Sequence, residues 1–312
     1  MLRIILIGVV ASLFFSSTFV LNRAMSLDGG HWVWSASLRY FWMLGFLAAW
    51  LVVTGKAQLG LDALKLFREY LLFWIVAGSV GFGVFYALIT FSSVFTPGWV
   101  VAATWQLTIL ATPFVLLGFG RRVPLRAIAL TMVIFVGVIL VNVEQASVAN
   151  LSDTLWGALP VLVAAFAYPF GNQLVWEARK GEKLYLPSID HPAMDDSICR
   201  VLMLTLGSLP LWAILILVTS PPPPSTGQVV QTAIVAVCSG VIATSLFLYA
   251  RHRAQSTAEL AAADCTQSME VVFSLAGEAI LLGHVIPGIM GWAGIALTML
   301  GLVLYVKMQR RG

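Results

Sequence analysis

The chain has 312 residues, of which 60% are hydrophobic and only 10% are charged, and its mean hydropathy is +0.92. Soluble domains carry about 25% charged residues, so this composition excludes a soluble enzyme, a nucleic-acid-binding module and a disordered chain. The net charge of +4 is then explained by basic residues in loops on one side of a membrane rather than by a polyanionic partner. The sequence predicts an all-α polytopic membrane protein.

Ten apolar runs are long enough to cross a bilayer, which takes about 20 residues in a helix. The first run follows Arg3 and resembles a signal peptide, but no persuasive cleavage site ends it, so we expect a retained helix. Loop chemistry separates the runs, including a basic stretch at 55–69, a long polar loop at 179–197 and four prolines at 221–224. The predicted spans are 3–22, 32–54, 70–90, 97–118, 125–143, 155–176, 198–219, 228–250, 257–282 and 287–306.

The basic residues test both the number of spans and their orientation. With a cytoplasmic N-terminus, all of the 18 Lys and Arg residues except Arg23 and Arg39 belong to cytoplasmic segments. Adding or removing one helix would move every later loop to the other side of the membrane, and the basic residues would no longer collect in cytoplasmic segments. The positive-inside rule therefore favours ten spans with both termini in the cytoplasm.

Similar sequences recur about 160 residues apart. The pentapeptide at 128–132 recurs at 295–299, and Trp105-Gln106 corresponds to Thr266-Gln267. Because five helices is an odd number, the second half crosses the membrane in the opposite orientation, and inverted repeats of this kind are a recurring transporter architecture with the substrate near the midplane. The predicted organisation is a first five-helix repeat at 1–144, a second at 154–306 and a basic cytoplasmic tail at 307–312.

Six short stretches carry a family resemblance: Ser35–Tyr40, Pro97–Trp99, Thr104–Gln106, Ala167–Asn172, Ser239–Thr244 and Thr266–Val271. They resemble the drug/metabolite transporter superfamily, with ten helices in two repeats, and most closely its EamA-like multidrug resistance efflux transporter branch. The resemblance covers essentially the whole chain. It implies transport of a small organic molecule without identifying that molecule, because members export amino acids, drugs and other metabolites. Where the superfamily often has a proline after a glutamate in the ninth helix, Val271 follows Glu270 here.

The ninth span carries most of the polar side chains at membrane depth, where such groups are costly and by default suggest function. At about 100° per residue, Asp264, Gln267, Glu270, Ser274 and Glu278 share one face of the helix. Glu270 and Gln267 fall near the midplane. Asp264 falls closer to the cytoplasm, and Glu278 is expected at the outer interface. The stripe predicts a substrate pathway; the alternative is that these groups hydrogen-bond to other helices and hold the bundle together.

Amide and aromatic side chains add further candidate binding residues. Gln106 in the fourth span matches Gln267, and both amides either orient a polar substrate or bridge helices. Trp105 and Tyr168 offer aromatic faces to a cationic or ring-bearing ligand, unless Trp105 faces lipid. Asn172 lies one turn beyond Tyr168, close to a proline that frees a backbone carbonyl, so both side chains are expected to line a cavity.

Arg39 lies about a third of the way into the second span. It can bind a substrate carboxylate, pair with Asp264 or Glu270, or extend toward the membrane surface, and we favour the pairing. A carboxylate at Glu270 can hold either a proton or a cationic substrate, which predicts proton-coupled antiport with Asp264 as a proton relay.

Small residues in two spans are expected to let helices approach closely rather than to bind a nucleotide, since no strand precedes them. These residues are Gly78, Gly81 and Gly83 in the third span and Ser239 and Gly240 in the eighth.

No motif predicts an enzyme. The sequence has no nucleophile elbow or phosphate-binding loop, and its four histidines fall on different sides of the membrane, so we expect no catalytic site, cofactor or metal.

We predict an exporter in the bacterial plasma (inner) membrane that works by alternating access. An importer or facilitative exchanger of the same fold, or a channel, is the alternative. The expected partners are a cationic or amino-acid-like small organic molecule, protons, the lipid bilayer and a second copy of the chain in a homodimer, but no nucleic acid.

Overall fold

The computed structural model describes residues 2–121, 123, 125–253, 259, 263, 265–283 and 286–309, and every regular element in this part of the chain is a helix. Within these residues, eight helices are long and apolar enough to cross a membrane, which confirms an all-α polytopic membrane protein. Each overlaps one of the first eight predicted spans. They are Leu2–Leu27, Trp32–Val53, Leu71–Phe95, Gly98–Gly118, Thr131–Val148, Leu151–Lys180, Ser197–Thr219 and Thr226–Phe247.

Several spans are interrupted, so the chain contains fourteen α-helices among the described residues. A π-helical segment, Ser79–Val84, joins α4 to α5, another, Ala236–Ala243, joins α11 to α12, and Gln106 separates α6 from α7. In chain order the helices are α1 Leu2–Leu27, α2 Trp32–Val53, α3 Ala57–Glu69, α4 Leu71–Gly78, α5 Phe85–Phe95, α6 Gly98–Trp105, α7 Leu107–Gly118, α8 Leu125–Val148, α9 Leu151–Lys180, α10 Ser197–Thr219, α11 Thr226–Val235, α12 Thr244–Arg253, α13 Met269–Leu281 and α14 Ile289–Gln309.

The ninth and tenth predicted spans correspond to α13 and α14. The described part of α13 has 13 residues, and the apolar part of α14, Ile289–Leu304, is also shorter than the eight long spans. The count of ten spans therefore stays a prediction.

The expectation of a loop at 55–69 is wrong, because most of this stretch forms α3. Gly60, Ala63 and Leu66 recur every three residues and are buried, and α3 packs against α2 and α10. An apolar stripe at this spacing forms one face of a helix. Burial of that face stabilises a helix that the basic composition alone did not indicate.

Glycines allow the closest helix contacts in the bundle. A Cβ atom at Gly171 of α9 would lie 2.3 Å from Cα of Gly81, and one at Gly78 would lie 2.4 Å from a backbone carbonyl of α10. A Cβ atom at Gly207 of α10 would lie 1.9 Å from the carbonyl oxygen of Trp74. The predicted close-packing role is confirmed for Gly78 and Gly81.

Ion pairs gather at one end of the bundle, which we call the basic end. The Arg121 guanidinium donates to both carboxylate oxygens of Glu177, near the end of α9, at 2.9 and 2.6 Å. Lys56, after α2, donates to Asp196, before α10, at 2.6 Å. That hydrogen bond raises the pKa of Lys56 above its usual value. The ends of α2, α7 and α9 and the start of α10 thus meet here.

Other polar contacts join the helices at the opposite end. Arg23 of α1 donates to the carbonyl oxygen of Ser93 at 3.0 Å, close to the end of α5. Gln228 of α11 donates to the carbonyl of His31, which precedes α2, at 2.9 Å. These contacts pair helix ends that lie far apart in sequence.

Candidate functional site

A cavity of about 420 Å³ lies within the helix bundle. Helices from both predicted halves form its wall, among them α1, α2 and α5 from the first and α9, α10 and α13 from the second. Aromatic side chains make up much of the lining. Its charged lining residues, among those that the structure describes, are Arg39, Arg179, Arg200 and Glu270.

The cavity reaches the basic end and is closed toward the opposite end. Arg179 lines it with a side chain that is 47% exposed, and Ser197, the first residue of α10, also lines it. On the other side the lining stops at Arg39 and Trp105, each seven residues inside the start of its helix. Seven residues correspond to about two helical turns, so packed protein separates the cavity from the opposite end.

We call this packed layer the opposite-end seal and define it by Phe19, Trp99, Leu275 and Glu278. The three hydrophobic side chains belong to one buried cluster. Glu278 is 1% exposed, and its carboxylate accepts hydrogen bonds from the backbone N–H groups of Gly98 at 2.6 Å and Trp99 at 3.0 Å.

Glu278 lies close to the end of α13 and is buried inside the protein, and its predicted depth at the outer interface stays a prediction. The first N–H groups of an α-helix have no partner within the helix and attract negative charge. Glu278 of α13 supplies that charge to the start of α6, so its carboxylate is held inside the protein.

Arg39 is 8% exposed and lines the cavity. Its Nη2 donates to Oγ of Ser239 at 3.1 Å, and its guanidinium carbon lies 4.1 Å from the centre of the Tyr86 ring. Its Nε has no hydrogen-bond partner, and no carboxylate in the described part of the chain forms an ion pair with it. The favoured pairing with Glu270 is therefore wrong. Ser239 and the face of Tyr86 hold the guanidinium instead, and Asp264 lies outside the described residues.

The described part of the ninth-span stripe faces inward. Glu270 is 5% exposed and lines the cavity, as does Gln267 one turn earlier. None of the described residues hydrogen-bonds or ion-pairs with the Glu270 carboxylate. Ser274, one turn further along, is fully buried.

Three aromatic rings form a cluster on the cavity wall. The ring centre of Phe85 lies 4.8 Å from that of Trp105 and 5.0 Å from that of Tyr168, and the last two are 5.6 Å apart. Trp105 therefore contacts the cavity and does not simply face lipid. Asn172 also lines the cavity, and its amide donates to the carbonyl of Tyr168 at 2.9 Å.

Gln106 differs from its repeat partner Gln267. It is buried between α6 and α7 and is absent from the cavity lining, and its Nε2 donates to the carbonyl of Ala102 at 3.3 Å. The two amides thus have different surroundings in spite of their matching positions in the sequence.

Several residues that line the cavity were not predicted from the sequence as binding residues. Ser239 was assigned to helix packing, although a serine in the middle of a span is also a signal for a polar contact. Tyr86 was not singled out by the sequence, and Arg179 and Arg200 were counted only among the cytoplasmic basic residues. Within the described residues, no group of three or more His, Cys, Asp or Glu side chains is arranged to hold a metal ion.

The fold defines a polytopic helical membrane protein, and the bundle encloses an internal cavity. Residues 2–311 match the EmrE family model, described as "Putative multidrug resistance efflux transporter". The chain belongs to this family of membrane transporters, within the drug/metabolite transporter superfamily.

Two curated relatives and one solved structure are similar to the chain. "Uncharacterized protein YjlA" of Bacillus subtilis (strain 168) is 38% identical over 322 aligned positions, which cover 97% of this chain and 94% of that protein. "Uncharacterized 42.1 kDa protein in intracellular alkaline protease 3'region" of Shouchella clausii is 38% identical over 265 positions, covering 81% of this chain and 65% of that protein. A crystal structure with 15% identity matches 99% of this chain and 98% of its own with a TM-score of 0.61, which supports the fold alone.

Proposed function

We propose that the chain is a secondary active transporter that exports small organic molecules across the bacterial cytoplasmic membrane by alternating access. The observation that carries this proposal is the cavity, which reaches the basic end of the bundle and is closed at the other. A site accessible from one side at a time is what alternating access requires.

The direction of loading follows from the proposed orientation. The basic end carries Lys56, Arg121, Arg179 and Lys183, and membrane insertion leaves such residues on the cytoplasmic side. The conformation described is then inward-facing, ready to take up substrate from the cytoplasm. Both chain termini lie on the same side in this proposal.

Two inverted five-helix repeats are part of the same proposal, with α13 and α14 as the ninth and tenth spans. Irregular helical segments at corresponding positions support it. The third and eighth spans each contain a π-helical segment, Ser79–Val84 and Ala236–Ala243. The fourth span breaks at Gln106, and in the ninth a 3-10 turn, Thr266–Ser268, directly precedes α13.

Glu270 is the proposed coupling site. An isolated ionised carboxylate at membrane depth is heavily penalised, and in the described part of the chain this carboxylate has no partner to neutralise it. A proton or a basic group of the substrate relieves that penalty, and the two compete for one carboxylate. Their competition exchanges protons for substrate.

The test uses purified protein in liposomes with an acidic lumen, because protons that leave the lumen drive substrate into it by antiport. We expect saturable uptake with counterflow, which a channel does not give. Glu270→Gln should abolish pH-driven transport and the pH dependence of binding but should still permit folding. Glu144→Gln is the matched control, because Glu144 accepts hydrogen bonds from the N–H groups of Gly288 and Gly291 and is absent from the cavity lining. Normal pH-driven transport by Glu270→Gln contradicts the coupling site, and flux without counterflow contradicts the carrier.

Orientation has its own test. Single cysteines in the 181–196 loop should react with a membrane-impermeant maleimide only after the cells are opened, whereas cysteines at 221–224 should react in intact cells. Labelling of the 181–196 loop from outside would reverse the proposed direction of loading.

A further inference from the structure

Arg39 presents unused hydrogen-bond donors to the cavity. A guanidinium group has five N–H donors, and one of them is paired with the hydroxyl of Ser239. Its Nε is unpaired, and in the described part of the chain no acidic side chain neutralises its charge. The face of Tyr86, 4.1 Å away, fixes the position of the guanidinium without removing its capacity to bind an anion.

Glu270 presents the complementary charge on another wall of the same cavity. Its carboxylate also has no hydrogen-bond or ion-pair partner among the described residues. Arg39 comes from α2 and Glu270 from α13, so the opposite charges belong to different predicted repeats. They share one cavity without forming a pair with each other.

A substrate that carries both charges satisfies both residues. Burying an uncompensated charge is costly, and a molecule with only one charged group leaves either Arg39 without an anion or Glu270 to be neutralised by a proton. The ring cluster of Phe85, Trp105 and Tyr168 offers an aromatic surface for the apolar body of such a molecule.

We propose that the cavity binds amphoteric aromatic molecules, with the acidic group of the ligand at Arg39 and its basic group at Glu270. This inference rests on the proposed function, because it takes the cavity to be the substrate site. Arg200, nearer the basic end, favours the approach of a molecule with an acidic group and disfavours one with positive charge alone; the guanidinium of Arg179 is already paired with Asp195.

The test measures the affinity of the purified full-length protein in lipid nanodiscs for a set of probes that differ in charge. Phenylalanine carries both groups, hydrocinnamate the acidic group, phenethylamine the basic group and phenethyl alcohol neither; para-(aminomethyl)benzoate is a second amphoteric probe with wider spacing. We expect at least one amphoteric probe to bind about tenfold tighter than the alcohol.

Variants of Arg39 and Glu270 test whether Arg39 binds the acidic group of a probe and Glu270 its basic group. Arg39→Gln should weaken binding of the acidic and amphoteric probes by about tenfold and leave phenethylamine within about twofold. Glu270→Gln should do the reverse, weakening the basic probe and sparing hydrocinnamate. Arg39→Lys keeps the charge without the planar fork of donors and should fall between wild type and Arg39→Gln.

Arg68→Gln is the matched control, since it removes the same charge from an exposed position in α3 outside the cavity lining and should change no affinity by more than about threefold. If Arg39→Gln fails to fold, Ser239→Ala removes the hydrogen-bond partner of the guanidinium and should selectively weaken the acidic probe. The ranking of probes on the wild-type protein needs no variant.

Three results overturn the proposal: no binding by either amphoteric probe, tightest binding by phenethylamine, or equal weakening of all probes by Arg39→Gln. Counterflow in liposomes separates this inference from the transport function. Amphoteric binding without counterflow contradicts transport and leaves the binding site standing. Counterflow of a cationic drug without the predicted charge pattern contradicts the inference and leaves transport standing.

Discussion

At the scale of single residues, Glu270 and Glu278 have the same side chain on the same face of α13 and opposite surroundings. Glu270 faces the cavity without a partner in the described part of the chain, whereas Glu278 accepts two backbone hydrogen bonds at the start of α6. Helix periodicity predicts that both face inward. Which one stays available to a ligand depends on what the neighbouring helices present to it.

The two glutamines give a prediction at this scale. Gln267→Ala should weaken substrate binding and leave stability nearly unchanged, because the amide lines the cavity. Gln106→Ala should leave affinity unchanged and lower stability by about 1 kcal/mol, since it removes a buried hydrogen bond to Ala102. Thermal unfolding and ligand titration of both variants check this. Equal affinity losses in the two variants would contradict the different placement of the amides.

Asp196 gives a prediction about pH. Burial raises the pKa of its carboxyl, but the hydrogen bonds from Lys56 and from the backbone of Cys199 and Ile198 outweigh burial and bring the pKa below its usual value. A lowered pKa in the folded state means that the charged form stabilises the protein above about pH 4 and that this contribution is lost as the pH falls through the folded-state value.

Asp196→Asn removes the charge and keeps an oxygen that can cap α10. Its melting temperature should lie below that of wild type at pH 7, and the difference should shrink as the buffer becomes acidic. Lys56→Gln should give the same behaviour, and the double variant should add little to either single change. A difference that does not shrink on acidification would show that the charge is not responsible.

At the scale of whole helices, backbone contact at glycines fixes how the third, sixth and seventh spans pack. Because Gly81 and Gly171 have no side chains, the third and sixth spans come into backbone contact. The backbone of α10 at Gly207 likewise packs directly against the carbonyl of Trp74. Small residues at such crossings are typical of membrane helices, where close packing replaces the hydrophobic driving force.

Gly207→Ala should therefore lower stability by about 1–3 kcal/mol or more, because the added methyl group overlaps a backbone atom that cannot move alone. Gly45→Ala is the control. Gly45 lies in α2 with nothing within 4 Å of an added Cβ atom, and alanine is the better helix former. Detergent thermal melts of the two variants compare them directly. A loss of stability for Gly45→Ala as large as that for Gly207→Ala would contradict the packing argument.

At the scale of the whole molecule, the cavity reaches the basic end of the bundle, and the opposite-end seal closes it on the other side. Trp99 and Leu275 fill the space between helices, and Glu278 links α13 to the start of α6. Opening toward the opposite end requires this link to break. If the protein works by the proposed alternating access, the strength of the opposite-end seal helps to set the balance between its two access states.

Glu278→Gln should shift that balance toward opening at the opposite end, since a neutral amide binds the start of a helix less strongly than a carboxylate does. A cysteine introduced at Val100, which is 1% exposed, should react several-fold faster with an impermeant maleimide in this background. Glu144→Gln, which weakens a similar contact at the start of α14, should leave the rate unchanged. Equal rates in all three proteins would exclude Glu278 from the seal.

The sequence by itself determined that the chain is a helical membrane protein and approximately where eight of its spans lie. Hydrophobic length is a local property, and a bilayer core of fixed thickness translates it directly into spans. The inward-facing stripe of the ninth span was also predictable, since helix periodicity alone decides which side chains share a face. The resemblance in the motifs likewise identified the family that the comparison confirmed.

Only the tertiary structure decided which of these polar residues face a common space. Gln106 and Gln267 match in sequence, yet one is buried between helices and the other lines the cavity. Arg39 does not form the expected pair with Glu270 and lies against Tyr86 and Ser239, and α3 formed because its apolar face is covered by α2 and α10. Each of these outcomes depends on contacts between helices distant in the chain, and a pattern within one helix carries no information about what packs against it.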